Sequence, residues 1–316
     1  MITAVYSHAD CMLHEMGDWH PESPARLQAI EDQLIASRSA DFLDYREAPL
    51  ATDAMITRVH AQASMDLVRA HLPAADAGAG VYYPLDPDTS MNPHSLRAAQ
   101  RAAGAAVAAT DAVIAGEIAN AFCAVRPPGH HARLSAPMGF CLFNNVAIAA
   151  RHALDVHGLE RIAIVDFDVH HGNGTEEAFG EDARVLMASF YQFPFYPCTD
   201  RSSMPAQRGN MVNHPVPAYS DGEVVRKLVT DSWLPALHAH RPQMIFISAG
   251  FDAHREDDIG QMGLVEADYA WITQQIMAVA LEHAGGRIVS CLEGGYNLSA
   301  LGRSVTAHVR ALAQLD

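Results

Sequence analysis

The residues of this chain best suited to chemistry are histidines set beside carboxylates. In the run Asp166-Phe167-Asp168-Val169-His170-His171-Gly172-Asn173-Gly174, Asp168 and His170 are two apart. On extended chain they share a face, with Asp166 on the same side, so they can grip one ion together. A third ligand must come from another segment, and Asp252, just after the apolar run Met244 to Ser248, is the best candidate. Two carboxylates and one imidazole neutralise a divalent cation and leave a coordination position open, as in a catalytic rather than a structural zinc site. A solvated loop or an ion-pair network is the plain alternative, since charges also gather for structural reasons. His130-His131 follows Arg126-Pro127-Pro128-Gly129, a rigid, turned context that holds side chains without helical support. Tyr296 follows Gly294-Gly295, where a phenol could polarise a carbonyl and stabilise an oxyanion without carrying charge. An incidental histidine pair and a core tyrosine are the alternatives for these two.

A scaffold must bring these segments together, and the hydropathy pattern supplies one. Short, β-branched apolar runs at Ala119 to Val125, Arg161 to Val165, Arg184 to Phe190, Met244 to Ser248 and Arg287 to Leu292 are too unbroken for exposed antiparallel strands. A further strand is expected at Ile2 to Tyr6. Helical stretches are expected at Ala25 to Ser37, as two short helices within Ala51 to Leu72, and from an Asn92-Pro93 start to Gly116. They continue near Asn145 to His157, Asp221 to His240, Val265 to His283 and Leu298 to Leu315. A loop is expected over Pro73 to Asn92. Strands alternating with helices imply one α/β domain over 1–316, a mainly parallel central sheet with helices on both faces. Ligands of such sheets bind at the carboxyl ends of strands. Four of the runs end there in polar clusters: His130-His131, Asp166 to Gly174, Asp252, and Glu293 to Tyr296.

Composition narrows the chemistry. The 316 residues include 37 acidic and 21 basic side chains, a formal charge of −16. Nucleic-acid binding rests on Lys/Arg patches, which this chain lacks, whereas a cationic substrate would suit it. Five cysteines without any CxxC fit free thiols in a reducing compartment. With no apolar run long enough to span a bilayer, the expectation is a soluble cytoplasmic protein without nucleic-acid or membrane partners. The oligomeric state is left open, a homo-oligomer included.

The chain resembles the histone deacetylase superfamily, in particular its class II branch and the bacterial deacetylase-like amidohydrolases and acetylpolyamine amidohydrolases. The matching motifs, in family order, run from His20 to Leu27, Leu85 to Thr89, Arg126 to His131, Gly139 to Asn144, Asp166 to Thr175, Ser248 to Asp252 and Leu292 to Asn297. The resemblance implies an arginase/deacetylase-like fold with one zinc on Asp168, His170 and Asp252. It implies that His131 helps to activate a water that attacks an acetyl amide, that Tyr296 stabilises the oxyanion, and that His130 is the more buried histidine, oriented by Asp166. Asn173 stands where many class I members carry an aspartate, so His131 should be less basic here. A structural potassium is implied at Asp166, Asp168, His170, Ser189 and Phe190, and a second near Phe179 and Val185. Substrate contacts are implied for Gly139, Phe140, Tyr196 and Asp88, with Arg26 near an inner acetate pocket; a turn residue is the plain alternative for Asp88 and a structural ion pair for Arg26.

Ile259 lies where polyamine-selective class II enzymes carry a glutamate, which argues against polyamines, whereas Asp86, Asp88, Glu256, Asp257 and Asp258 argue for a cationic substrate. The expected activity is a zinc-dependent amidohydrolase deacetylating small-molecule or peptide N-acetylated amines such as acetyl-lysine or acetylpolyamines. The rivals are a binuclear-manganese ureohydrolase, for which Asp252-Ala253-His254-Arg255 lacks the spaced aspartates, and a catalytically silent acetyl-amine-binding protein. The second would be marked by loss of the tyrosine or a histidine, and all three are present.

Overall fold

The computed structural model describes residues 2–78, 80–198 and 209–315, so residues 1, 79, 199–208 and 316 of the expected domain lie outside the described residues. The strands are β1 (Thr3–Ser7), β2 (Asp44–Glu47), β3 (Tyr83–Pro84), β4 (Ser90–Met91), β5 (Asn120–Cys123), β6 (Ile162–Asp166), β7 (Val185–Gln192), β8 (Met211–Val216), β9 (Ile245–Ala249) and β10 (Ile288–Leu292). Eight of them form one sheet in the order β2-β1-β5-β10-β9-β6-β7-β8. Every pairing in it is parallel. The helices are α1 (Ala25–Ala36), α2 (Asp53–Ile56), α3 (Gln62–Ala70), α4 (Ser95–Ile114), α5 (Asn145–Asp155), α6 (Asn173–Phe179), α7 (Gly222–Leu228), α8 (Leu234–His240), α9 (Glu266–His283) and α10 (Leu298–Leu312). α10 packs against α1 and α9, and α9 against α8, while α4 and α6 flank α5. These two sets cover the two faces of the sheet, the α/β architecture expected from the alternation of elements.

The central strands are mainly apolar because both faces are covered: β5, β6, β7, β9 and β10 are buried at every position. Alanine lets α4 lie close against its neighbours, with Ala98, Ala99, Ala102, Ala103, Ala105, Ala106 and Ala109 all buried. That helix starts at Ser95 rather than at Pro93. Asn92 spends its side chain one turn earlier, where Oδ1 accepts from the His94 backbone N–H at 3.0 Å and from Ser95 Oγ at 3.0 Å. The expected Pro73 to Asn92 loop contains a small antiparallel hairpin, β3 with β4. Two edge strands, β2 and β8, were not anticipated.

Candidate active site

β5, β10, β9 and β6 are consecutive neighbours in the sheet. Neighbouring strands lie about 4.8 Å apart, so the polar segments leaving their carboxyl ends meet within a few side-chain lengths. At the centre are Asp168, His170 and Asp252, all buried, with their ligand atoms within 4.8 Å of one another. His170 Nδ1 lies 2.9 Å from Asp168 Oδ1 and 3.1 Å from Asp252 Oδ2. One ring nitrogen cannot serve two carboxylates with one proton. Asp252 Oδ2 is close without meeting hydrogen-bond geometry, a buried acceptor left without a donor.

The electrostatics of this cluster call for a cation. Burial opposes an imidazolium at His170, but the Asp168 and Asp252 carboxylates outweigh it and raise the ring to about 9. Burial and the charge of Asp168 raise Asp252 to about 6. Two dry carboxylates therefore hold a positive charge between them, and a divalent ion on these three donors meets the same need with zinc-type ligand chemistry. The donors are crowded into place: a Cβ added at Gly294 would lie 2.0 Å from Asp252 Oδ2 and 2.6 Å from Asp168 Oδ2. No side chain fits there.

The histidine pair lies beside this cluster. His130 Nδ1 is 3.0 Å from Asp166 Oδ2, and His130 Nε2 is 3.7 Å from Asp168 Oδ1. Burial works against its charge, but Asp168 and Asp166 overcome that and raise His130 well above the usual histidine value. His131 Nδ1 is 2.7 Å from Asn173 Oδ1. An amide oxygen only accepts, so Nδ1 carries the proton and Nε2 keeps its lone pair. Burial first, then the neighbouring His130 and His170, depress His131 well below its usual value. Two adjacent imidazoles are thereby driven apart, one toward the acid form and one toward the base.

Tyr296 is carried by a frame of buried charges. Its backbone N–H and that of Asn297 donate to Asp257 Oδ2 at 2.6 and 2.9 Å. Arg26, fully buried, donates through Nε to the Gly295 carbonyl at 2.7 Å and through Nη2 to the Glu293 carbonyl, and its guanidinium lies 4.9 Å from the Tyr296 ring centre. Glu22 accepts from Arg26 Nη1 at 3.0 Å and from Arg126 Nη2 at 2.7 Å. Burial would raise Glu22, but Arg126 dominates and holds it at about 2. Glu293 Oε2 accepts the backbone N–H groups of Gly129 at 2.6 Å and His130 at 3.1 Å, fixing the turn that presents the histidines.

A cavity of about 200 Å³ opens over these groups, and its walls include Asp88, His130, His131, Gly139, Phe140, His170, Phe195, Tyr196, Ile259 and Tyr296. The Tyr196 ring centre is 5.1 Å from that of His131, and the Phe195 ring stacks on His170 at 5.3 Å. Gly139 has φ +58°, and a Cβ there would lie 2.5 Å from His131 Cδ2. Phe140, at φ +68°, adopts the left-handed conformation that a bulky residue takes only under constraint. Its N–H donates to Thr89 Oγ1 at 3.0 Å.

Most sequence-predicted residues meet here, with two corrections among the acids. Arg26 makes the structural ion pair that was the alternative reading for it, with Glu22, and supports the backbone beneath Tyr296. Asp257, grouped in the sequence with acids favouring a cationic substrate, is buried and bound to backbone N–H groups, and Glu256 pairs with Arg303 at 2.9 Å. Sequence reasoning gave no role to Phe195, Glu22 or Glu293, although the last two lay inside motifs it singled out. Asp166 and Ser189 are paired in β6 and β7, which places Phe190 in the same corner, and Ser189 Oγ donates to Asn213 Oδ1 at 2.8 Å. At the second expected potassium position, the carbonyls of Phe179 and Val185 are met by Asn210 Nδ2 at 3.1 and 3.0 Å.

Comparisons with known proteins bear on the family and the fold. A profile of the histone deacetylase domain matches residues 20–312. Histone deacetylase 14, chloroplastic, of Arabidopsis thaliana is 38% identical over 99% of this chain and 77% of its own length. The histone deacetylase-like amidohydrolase of Pseudomonas aeruginosa is 37% identical over 88% of this chain and 73% of its own. The crystal structure of the HDA15 HD domain superposes with a TM-score of 0.91 at 34% identity, covering 99% of this chain and 90% of that one. The chain belongs to the histone deacetylase family and is a hydrolase of the deacetylase type.

Proposed function

We propose that this chain is a zinc-dependent deacetylase that hydrolyses the acetyl amide of N-acetylated primary amines, the acetyl-lysine or acetylpolyamine type. The observation that carries the proposal is the cluster Asp168, His170 and Asp252 at the floor of the cavity, beside two imidazoles of opposite protonation tendency. A zinc ion held by those three side chains supplies a Lewis acid that polarises a carbonyl and lowers the pKa of water. His131, neutral and with Nε2 free, takes the proton from the attacking water. His130, held charged by Asp166 and Asp168, stabilises the negative charge that develops and with His131 returns a proton to the departing amine. Tyr296 stays a protonated phenol, because burial raises it well above its usual value, and donates to the oxyanion. Asp166, Asp168, His170, Ser189 and Phe190 form the corner assigned to a structural potassium.

Phe140, Phe195 and Tyr196 wall a narrow aromatic channel that suits a flexible alkyl chain, with Gly139 and Ile259 beside it. Asp88 is positioned to accept a hydrogen bond from the substrate. Four buried free thiols and one exposed, Cys198, support a reducing, cytoplasmic setting. Among the described residues no helix is long and apolar enough to cross a membrane. The test is acetate release from an acetyl-lysine peptide and from an acetylated diamine. Tyr296→Phe should lower kcat by about 10²–10³-fold, as loss of an oxyanion donor does, and His131→Ala should do the same or worse. Undiminished turnover in either variant would overturn the assignment.

A further inference from the structure

A second group of imidazoles and a carboxylate lies at the opposite edge of the sheet. His238 is in the last turn of α8, which leads into β9, and Glu282 and His283 end α9, which leads into β10. All three therefore sit at the amino edge of the strands, across the sheet from the cavity. His238 Nδ1 is 3.0 Å from His283 Nε2. The Glu282 carboxylate straddles the pair, with Oε2 3.4 Å from His238 Nδ1 and Oε1 3.5 Å from His283 Nε2.

These separations have a meaning of their own. Zinc bonds nitrogen and oxygen at about 2.0–2.2 Å, so two ligand atoms on one tetrahedral ion stand about 3.3–3.5 Å apart. The two contacts of Glu282 come from its two different oxygens and are too long for strong hydrogen bonds; one ligand atom from each of the three residues lies within 4.8 Å of the other two, close enough to be drawn onto one ion. The imidazole contact is a hydrogen bond at 3.0 Å, one ring's N–H donating to the other, and binding an ion would displace that one proton; its length is comparable to the 2.9 and 3.1 Å separations around His170. Both helices also end here, and the carboxyl end of a helix carries a partial negative charge that favours a cation.

A third cluster shows the contrast. Asp111 Oδ1 lies 2.7 Å from His152 Nε2 and 2.6 Å from His157 Nε2, which are hydrogen-bond lengths. Arg58 Nη1 is 3.1 Å from His152 Nδ1. A guanidinium only donates, so Nδ1 accepts and the ring's proton sits on Nε2, with no lone pair left there for an ion. That cluster is a hydrogen-bonded pair of histidines on one carboxylate.

We propose that His238, Glu282 and His283 form a second metal site, taking a zinc-type divalent cation with solvent in its remaining coordination position, and that the ion ties α8 to α9. Mixed nitrogen and oxygen ligands suit zinc, copper or nickel, whereas magnesium and calcium want all-oxygen shells. Because the ion binds the folded chain, zinc raises the unfolding temperature through this site by mass action.

The experiment is equilibrium dialysis of the wild type, His238→Ala and Glu282→Gln against zinc, with magnesium as the control, followed by thermal unfolding with and without zinc. His238→Ala should hold one zinc fewer per chain whatever the active site holds. Glu282→Gln should weaken that same ion at least about tenfold, the loss that removing even an outer metal partner causes. Acetate release by both variants should match the wild type, since neither residue is near the cavity. The zinc-induced rise in unfolding temperature should be smaller in both. His238→Asn, which keeps a polar group toward His283, repeats the measurement should the alanine variant fail to fold. Equal zinc content in the wild type and these variants, or equal binding of magnesium to the site, overturns the proposal.

Discussion

An amide beside His131, where a carboxylate would add charge, fixes the ring's tautomer without raising its basicity. Asn173 Oδ1 accepts from Nδ1 at 2.7 Å, so the side chain acts through orientation alone. Asn173→Ala should therefore lower kcat by about 10–100-fold, the usual cost of losing the partner that orients a functional histidine, with KM changed much less. Steady-state kinetics on an acetylated amine checks this, and a rise in KM at constant kcat would assign Asn173 to binding instead. At this scale the sequence was most legible for residues whose spacing alone determines their meeting. Asp168 and His170 meet as their spacing implied, although they sit in a bend just past the end of β6 rather than on the strand itself, and Asp252 follows the adjacent strand β9. For Arg26 the sequence left two readings open, because a motif position does not tell which neighbours a buried guanidinium meets, and the ion pair with Glu22 is visible only in the packing. Asp257 looked like part of a solvated acidic run, and only packing shows that it binds the N–H groups of Tyr296 and Asn297.

At the scale of elements, the strands β5, β6, β9 and β10 could be read from unbroken apolar runs because two helical layers bury both their faces. The edge strands could not. β2 alternates between half-buried and exposed positions, and β8 carries Pro215, which a central strand would not tolerate. The helix α1 contributes more than a covering face, since it places Arg26 within reach of Glu22 and of the backbone beneath Tyr296. Removing the charge of Glu22 would leave two buried guanidinium groups without their counter-ion. Glu22→Gln is expected to cost about 3–5 kcal/mol of stability, to be read from chemical denaturation. A change below about 1 kcal/mol would mean that backbone carbonyls alone satisfy Arg26 and Arg126.

For the whole molecule, acid sensitivity follows from buried histidines that do not line the cavity. Burial depresses His14 and His308 to about 3 and His60 to about 4. The unfolded chain protonates such rings near 6.5. Below that pH it takes up protons that the folded chain refuses, so stability falls as the pH drops from about 6.5 toward 4. Each ring contributes up to ~1.4 kcal/mol per pH unit over that window. His308 bonds Thr273 Oγ1 at 2.6 Å and Ser290 Oγ at 2.9 Å; His308→Gln should flatten the slope by one ring's share in denaturation measured at several pH values. An unchanged slope would show that this ring is protonated in the folded state. The charge of −16 also gains definition at this scale. Asp88 lines the cavity wall with Asp86 beside it, while Asp257 and Glu256 are engaged elsewhere.

The measurement that bears most directly on the assigned chemistry is acetate release by protein stripped of metal with a chelator and then titrated with zinc. Turnover of an acetyl-lysine peptide or an acetylated diamine should vanish on stripping, return with zinc in wild type and in His238→Ala alike, and fail to return in Asp252→Asn. Turnover that survives stripping, or that zinc restores in Asp252→Asn as fully as in the wild type, would contradict a zinc-dependent deacetylase built on Asp168, His170 and Asp252.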